Sequence, residues 1–227
     1  MSLVYFKNVS KSYHGNLILD NISFEIENGE FVSLVGRSGV GKTTILKLLI
    51  REEKPTKGRI FFEDKDINKL KPREVVILRR KIGMIFQDFK LLENKNSFEN
   101  IAFAMEICGC SDKEIRQDVP ELLKLVGLED KAGNFPYQLS AGEKQRLVIA
   151  RVLAQRPELI LADEPTGNLD PINAWEIIKL LTKINELGTA IILATHDKEI
   201  VNSLNKRVIS LEHGKIVRDE QEGRYLI

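Results

Sequence analysis

The residues best suited to chemistry form a glycine-rich segment, Gly36–Thr43, whose last glycine is followed by a lysine and a threonine. Glycines at this spacing let the backbone curl so that successive N–H groups point inward at phosphate oxygens. An apolar run precedes the segment and a helical pattern starts at Lys42, so the positive end of a helix dipole faces the loop. The segment predicts a loop that binds ATP, in which Lys42 neutralises the terminal phosphates and the Thr43 hydroxyl ligates Mg²⁺. The nucleotide-binding residues expected here are Gly36, Arg37, Ser38, Gly39, Val40, Gly41, Lys42, Thr43 and Thr44.

A phosphate-binding loop needs a second element to supply another ligand for the metal ion and a group that acts on the attacking water. A pair of acidic residues is predicted to supply both. The apolar run Leu159–Ala162 ends in Asp163 and Glu164. Asp163 is predicted to hold Mg²⁺ together with Thr43, and Glu164 is predicted to orient or deprotonate the attacking water. An apolar run that ends in two carboxylates is common, so this prediction depends on the phosphate loop that accompanies it.

A second helix start, Leu139–Gln145, combines a hydroxyl with small residues and leaves backbone N–H groups free to bind a phosphate. One nucleotide does not need two such helix starts within one domain. The segment therefore favours contact with the ATP of another molecule. Capping of its own helix by Ser140 explains the same residues, and both interpretations can hold together.

The elements that must position these residues alternate between strand and helix over much of the chain. Short strands are predicted within Val4–Val9 and Ile22–Ile26, whereas almost only helical spacing is present between about Ser97 and Ala154. The pattern predicts an α/β fold of the P-loop NTPase class, with a mostly parallel core sheet, an N-terminal antiparallel β subdomain and an inserted helical subdomain. The expected division is a single domain of residues 1–227, with a nucleotide-binding core of 1–87 and 156–227 and a helical subdomain of 88–155.

Composition and charge narrow the class of protein further. The chain has 227 residues and a formal net charge of +1, and this near balance gives no reason to expect nucleic-acid binding. No apolar run approaches the ~20 residues of a membrane helix. Met1–Asn8 shows no signal-peptide pattern, so a cytoplasmic location is expected. Cys108 and Cys110 lack enough nearby ligands for a metal site and are expected to be reduced thiols.

Further motifs, met in a consistent order, identify the chain as a member of the ATP-binding-cassette (ABC) family over nearly its whole length. Gly36–Thr43 resembles the Walker A loop, Leu139–Gln145 resembles the ABC signature, and Leu159–Glu164 resembles Walker B. The resemblance implies that the chain hydrolyses ATP with Mg²⁺ as a head-to-tail homodimer, each ATP lying between one subunit's Walker A loop and its partner's signature. The roles it implies are adenine stacking by Tyr13, catalysis by Glu164, His196 and Gln87, metal binding by Thr43, Gln87 and Asp163, partner-ATP contact by Ser140, Ala141, Gly142 and Glu143, and a D-loop of Asn168, Leu169 and Asp170.

One residue departs from the family pattern. Ala141 occupies the place of the first of two glycines that usually follow the signature serine. Its methyl group is expected close to the γ-phosphate of the partner's ATP. Because alanine is small and is accepted at helix starts, ATP binding is expected to survive.

The connecting segments resemble the cell-division branch of the family, the FtsE type, over Arg79–Asp88, Asn134–Ser140 and Ala162–Asp170. This resemblance implies a bacterial membrane partner of the FtsX type, regulation of cell-wall hydrolases, and a peripheral place on the inner face of the cell membrane. The same segments resemble cassettes for lipoprotein release and macrolide export, which form the alternative. A soluble ABC protein that acts on nucleic acid is a more distant one. A P-loop kinase or GTPase would leave Leu139–Gln145 and Tyr13 without a role.

An apolar group just after Gln87 predicts a groove for a cytoplasmic helix of the membrane partner. The alternative is that some of these residues simply belong to the hydrophobic core of the helical subdomain. The apolar residues of this group are Phe89, Leu91, Leu92, Phe98 and Phe103.

The basic stretch Lys69–Lys81 favours a solvated helix face over lipid contact, because Asp66 and Glu74 interrupt it.

Overall fold

The computed structural model describes residues 2–225, and within that range the chain forms two β-sheets and a set of α-helices. The strands are β1 (Ser2–Tyr13), β2 (Asn16–Glu27), β3 (Phe31–Val35), β4 (Lys57–Phe62), β5 (Lys65–Asp66), β6 (Ile82–Ile85), β7 (Leu159–Asp163), β8 (Ala190–Thr195), β9 (Arg207–Glu212) and β10 (Lys215–Glu220). The helices are α1 (Lys42–Leu49), α2 (Pro72–Lys81), α3 (Ser97–Cys108), α4 (Asp112–Leu125), α5 (Ala141–Leu153), α6 (Pro171–Glu186) and α7 (Lys198–Leu204).

The antiparallel sheet has the strand order β2-β1-β4-β5, which confirms the predicted antiparallel β part. Its first two strands are each 12 residues long, so the prediction of short strands was wrong. Register shifts within the pair, for example between Phe6 and Val9, interrupt the alternation of buried and exposed side chains. The alternation in each long strand is therefore broken into short stretches, and in the sequence these look like separate short strands.

The second sheet has the order β10-β9-β3-β8-β7-β6 and is parallel from β9 to β6, while β10 forms an antiparallel hairpin with β9. Every residue of β3 and β8 is buried, as expected for central parallel strands covered on both faces. The carboxyl ends of β3, β7 and β8 meet at one edge of this sheet. Ligands of open α/β sheets bind at that edge.

The helices α3, α4 and α5 fill the chain between β6 and β7, where helical spacing is continuous in the sequence. Each begins with a polar cap, Asn96, Ser111 or Ser140, that bonds reciprocally with a glutamate three residues later. Their apolar faces bury a common core that includes Ile101 and Leu147. This packing fixes the direction in which the start of α5 faces.

The basic end of α2 is held by its own chain. Arg79 and Arg80 donate to backbone carbonyls at the end of α1 and in α3. Lys81 forms ion pairs with Glu63 at 2.6 Å and Glu158 at 2.8 Å, and its hydrogen bonds to Glu158 and Glu63 raise the pKa of Lys81. The three basic side chains at this end of α2 are therefore engaged in contacts within the protein.

The short helix α7 was not predicted. It has only seven residues, too few for a helical period to stand out in the sequence. Asp197 caps it by accepting the backbone N–H groups of Glu199 and Ile200. None of the helices within residues 2–225 is long and apolar enough to cross a bilayer.

The two cysteines lie at the end of α3 and just beyond it, and both are free. Burial raises the pKa of Cys108, which favours its protonated thiol. Across the described part of the chain, no group of three His, Cys, Asp or Glu side chains is placed to hold a metal ion by itself.

Candidate functional site

The phosphate loop connects β3 to α1 through backbone conformations that require glycine. Gly36 and Gly41 have φ values of 148° and 112°. A β-carbon at Gly36 would stand 2.5 Å from the Leu211 carbonyl oxygen, and one at Gly41 would stand 2.6 Å from the Leu19 side chain. These positions admit only glycine, and they curl the segment around the first turn of α1.

Lys42, the first residue of α1, folds back into this loop. Its Nζ donates to the Gly36 carbonyl oxygen at 2.7 Å and lies 3.7 Å from Glu164 Oε1. The side chain is only 6% exposed, so its charge acts where water screens it weakly. An ammonium held in this way can bind an anionic phosphate oxygen strongly.

Thr43 and Asp163 meet beside the loop, where Thr43 Oγ1 donates to Asp163 Oδ1 at 3.2 Å. Asp163 is the last residue of β7. Burial raises the pKa of Asp163, the hydrogen bond from Thr43 opposes this rise, and the charge of Glu164 adds to it. A hydroxyl and a partly buried carboxylate are the hard oxygen ligands that suit Mg²⁺, whose positive charge would favour the ionised carboxylate.

Glu164 turns the chain sharply after β7 with a φ of 46°. Its N–H donates to the Ala194 carbonyl oxygen at 2.8 Å. Its carboxylate accepts a hydrogen bond from Thr195 Oγ1 at 3.1 Å and lies 2.8 Å from His196 Nδ1. The ends of β7 and β8 thus place an oriented carboxylate at the sheet edge, where it can accept a proton from water.

Gln87 is tied to the segment that follows Glu164. Its carbonyl oxygen accepts a hydrogen bond from Asn168 Nδ2 at 3.1 Å. A β-carbon at Gly167 would stand 3.2 Å from Gln87 Nε2, so the amide lies directly against this turn. The D-loop and Gln87 therefore share one wall of the site.

One cavity of about 300 Å³ collects most of the residues predicted to bind the nucleotide or the metal or to act in catalysis. Tyr13 reaches it from the end of β1, where Lys11 Nζ lies 4.6 Å from the centre of the Tyr13 ring. Arg37 and Val40 line a neighbouring cavity instead. His196 is not among the residues that line the first cavity, but its Nδ1 contacts Glu164, which does line it. The residues that line the first cavity are Tyr13, Ile18, Ser38, Gly39, Gly41, Lys42, Thr43, Thr44, Gln87, Asp163 and Glu164.

The signature residues Ser140–Glu143, all within the described range, are not among the residues that line this cavity. Ser140 caps α5, because its Oγ accepts the N–H of Glu143 while Glu143 Oε2 accepts the N–H of Ser140 at 2.8 Å. This backbone hydrogen bond is the main cause that lowers the pKa of Glu143. The capping interpretation is correct for both side chains, and Ser140 and Ala141 remain exposed.

Gly142 joins the signature to the start of α6. A β-carbon at Gly142 would collide with Asn173 Oδ1. Asn173 is in turn fixed, because its Nδ2 donates to Asp170 Oδ2 at 2.6 Å and Asp170 accepts the N–H groups of Ile172 and Asn173 as the cap of α6. The close packing of these two helix starts explains why glycine is needed at position 142.

Two residues of this site were missed in the sequence. Thr195 donates to Glu164, and Asn173 links the D-loop to the signature. Thr195 had a usable signal, since it stands between an apolar strand and the predicted histidine. Asn173 lies inside a helix pattern, and only the contact between α5 and α6 reveals it.

Replacement of Ala141 by glycine is expected to leave the steady-state ATPase rate unchanged or to raise it. The methyl group is exposed, and its removal costs at most about 1 kcal/mol of helix propensity. A steady-state phosphate-release assay checks this, with Ala132→Gly as a control for a small deletion outside the helix start. A clear loss of rate in Ala141→Gly alone would contradict the prediction.

Comparison with known proteins adds independent evidence. The ABC transporter family model matches residues 19–167. The cell division ATP-binding protein FtsE of Bacillus subtilis (strain 168) is 51% identical over 98% of both chains, and that of Mycobacterium tuberculosis is 46% identical over 98% of both. Among solved structures, a dimeric post-hydrolysis state of the ATP-binding cassette MJ0796 bound to ADP and Pi has a TM-score of 0.87 and 37% identity, covering 98% of this chain and 100% of that chain.

The two relatives and the solved structure match nearly the whole length of the chain, and the family model spans the phosphate loop, the signature and the Walker B strand. They confirm the predicted fold class and the predicted family. The related cassette bound to ADP and Pi also supports the predicted reaction. The chain belongs to the ABC transporter family, and within it is an ATP-hydrolysing cassette.

Proposed function

We propose that this chain is the ATPase subunit of a bacterial cell-division complex, in which its ATP-dependent dimer drives a membrane partner of the FtsX type that regulates cell-wall hydrolases. The observation that carries the proposal is the likeness to proteins named for cell division in distant bacteria. These include Bacillus subtilis at 51% identity, Streptococcus pneumoniae at 47% and Escherichia coli at 44%. Each match covers at least 94% of this chain.

In the proposed reaction, Glu164 accepts a proton from the attacking water while Thr195 and His196 hold its carboxylate in place. Lys42 and the inward N–H groups of Gly36–Thr43 neutralise the charge that develops on the phosphates. Gln87 orients the same water from the wall that it shares with the D-loop. Tyr13 offers its ring to the adenine.

Mg²⁺ fits this site, because the Thr43 hydroxyl and the Asp163 carboxylate lie together at the edge of the sheet and Gln87 lines the same cavity. When bound, Mg²⁺ would supply electrostatic stabilisation of the transferring phosphoryl group. The partly buried Asp163 carboxylate is the group best placed to compensate its charge.

The position of the signature supports a head-to-tail homodimer. Ser140 and Ala141 are exposed at a helix start and do not line their own chain's nucleotide cavity. In a second copy turned around, the same helix start would offer its free N–H groups to the γ-phosphate. Each active site would then be completed by its partner.

The groove for the membrane partner is proposed on the side of the helical part. Of the predicted apolar group, Leu91 is buried in the core, and Phe89 and Phe98 pack against that core. Leu92 and Phe103 line a cavity of about 310 Å³ together with Met84, Ile107 and Arg151. Arg151 also donates to the carbonyl oxygens of Lys90 and Phe89, so it fixes the segment after Gln87 against α5. This link offers a route by which binding in the groove could affect the active site. A partner helix bound in the groove would hold the chain at the inner face of the membrane.

Leu92→Asp is expected to abolish co-purification with the FtsX-type protein of the same bacterium, because a charge in this groove would need to be buried against an apolar helix. Thermal stability and the ATPase rate of the isolated chain are expected to stay normal. The measurement is affinity capture from detergent-solubilised membranes after co-expression.

The matched control is Leu187→Asp, which places the same change at a 74% exposed leucine at the end of α6. Capture should be unaffected by that control. Undiminished capture of the partner by a folded, active Leu92→Asp protein would refute the groove. In the bacterium itself, the wild-type chain but not Leu92→Asp should correct the division defect of a strain that lacks the gene.

A further inference from the structure

Residues 221–225, which follow β10, pack against the start of β9 and against α7. The N–H of Gly223 donates to the Lys206 carbonyl oxygen at 3.3 Å. A β-carbon at Gly223 would stand 2.7 Å from the Val208 side chain, so the backbone itself lies against β9. The N–H of Tyr225 donates to Asn202 Oδ1 at 2.8 Å, which anchors this segment to α7.

The Tyr225 ring is buried between the end of β3 and α7. It is 6% exposed and forms a small cluster with Val35, Val201 and Val208 that is separate from the two main cores. Val35 is the last residue of β3, directly before the phosphate loop. Val201 lies in α7, which begins two residues after His196. Lys198 Nζ stands 5.4 Å from the centre of the same ring.

The Tyr225 side chain also lies within the electrostatic influence of the active site. Burial is the main cause that raises the pKa of Tyr225, the negative charge of Glu164 adds to this, and the positive charge of Arg37 opposes it.

We infer that Tyr225 is a positioning residue for ATP hydrolysis: its buried ring holds the end of β3, directly before the phosphate loop, and the helix after His196 in one fixed arrangement. The ring packs with both Val35 and Val201. The loop starts at Gly36, which has a φ of 148° and no side chain of its own to anchor it, so the residue before it contributes to the restraint of the loop. Tyr225 touches no substrate in this role and acts through Val35 and α7.

The test compares Tyr225→Phe and Tyr225→Ala in steady-state ATPase assays, with binding of a fluorescent ADP analogue and thermal unfolding measured in parallel. Tyr225→Phe keeps the ring packing, so it should unfold near the wild-type temperature and keep a KM for ATP within about twofold of the wild-type value. Tyr225→Ala should lower kcat/KM by roughly 10-fold or more, because the loop and α7 lose their common contact.

Tyr5→Ala is the matched control, since Tyr5 is a half-buried tyrosine whose ring stacks on Phe61 at 5.9 Å in the antiparallel sheet. It should lower the unfolding temperature without changing KM. Wild-type KM and kcat in Tyr225→Ala, with a loss of stability like that of Tyr5→Ala, would make Tyr225 merely structural and overturn the inference. If Tyr225→Ala does not fold, Tyr225→Leu, which removes the ring but keeps an apolar side chain, decides the question by the same kinetic readout. The inference rests on ATP hydrolysis alone, so failure of the proposed partner would leave it standing.

Discussion

Replacement of Glu164 by glutamine should reduce kcat by about 10²- to 10⁴-fold, the range typical for loss of a general base. Glutamine matches the shape of glutamate and can still accept the hydrogen bond that Thr195 Oγ1 donates at 3.1 Å. It cannot take a proton from water, so ATP should remain bound without hydrolysis. Because each bound ATP is proposed to bridge two subunits, the variant should accumulate as an ATP-bound dimer.

Size-exclusion chromatography with light scattering, with and without ATP and Mg²⁺, measures this directly. The control is Glu158→Gln, which changes a glutamate just before the opposite end of β7 whose partner is Lys81 at 2.8 Å. That protein should hydrolyse ATP normally and dimerise only transiently. A Glu164→Gln protein that binds ATP tightly yet elutes as a monomer would refute the head-to-tail dimer. A protein that still hydrolyses ATP at the wild-type rate would remove Glu164 from its catalytic role.

Lys42→Ala should cost roughly 2–5 kcal/mol of ATP binding, or a loss of affinity of about 30-fold or more, as expected for removal of one member of a buried charge pair. Its ammonium is the cation held between the Gly36 carbonyl oxygen and Glu164. Without it, the phosphates would meet the carboxylates of Asp163 and Glu164 with less compensation. Equilibrium binding of a fluorescent ATP analogue measures the effect.

Lys47→Ala is the matched control on the same helix. Lys47 is 37% exposed and pairs with Glu52 at 3.2 Å, and exposed pairs of this kind contribute only about 0–1 kcal/mol. Its removal should leave ATP affinity within about twofold of wild type. Equal losses in the two variants would mean that the overall charge of α1, rather than Lys42, attracts the nucleotide.

Much of this protein could be predicted because its chemistry depends on local spacing. The run from β3 through the phosphate loop into α1 is a continuous strand–loop–helix, and the φ values that favour glycine at Gly36 and Gly41 are local to that loop. The Walker B strand is similar, since an apolar run that ends in Asp163 and Glu164 must carry both carboxylates to a strand end. The class of fold followed from the same alternation of strand and helix.

Other features escaped prediction because they come from contacts between distant segments. The lengths of β1 and β2 were hidden by their bulges, and the seven residues of α7 were too few to show a period. The apolar group after Gln87 was divided by tertiary packing, which buried Leu91 and left Leu92 in the groove. No periodicity within that segment distinguishes the two leucines, since only the neighbouring helices decide which side is covered.

The sequence by itself determined to which family the chain belongs, and it predicted which residues bind phosphate and which carboxylates serve the reaction, because these depend on residue types at short fixed distances. Only the tertiary structure decided how the ends of β7 and β8 bring Glu164, Thr195 and His196 together, and that the signature is absent from its own chain's nucleotide cavity. It alone brought Tyr225 against Val35, although 189 residues lie between them in the sequence. The physical reason is that such contacts depend on sheet order and helix packing, which spacing along one segment does not encode.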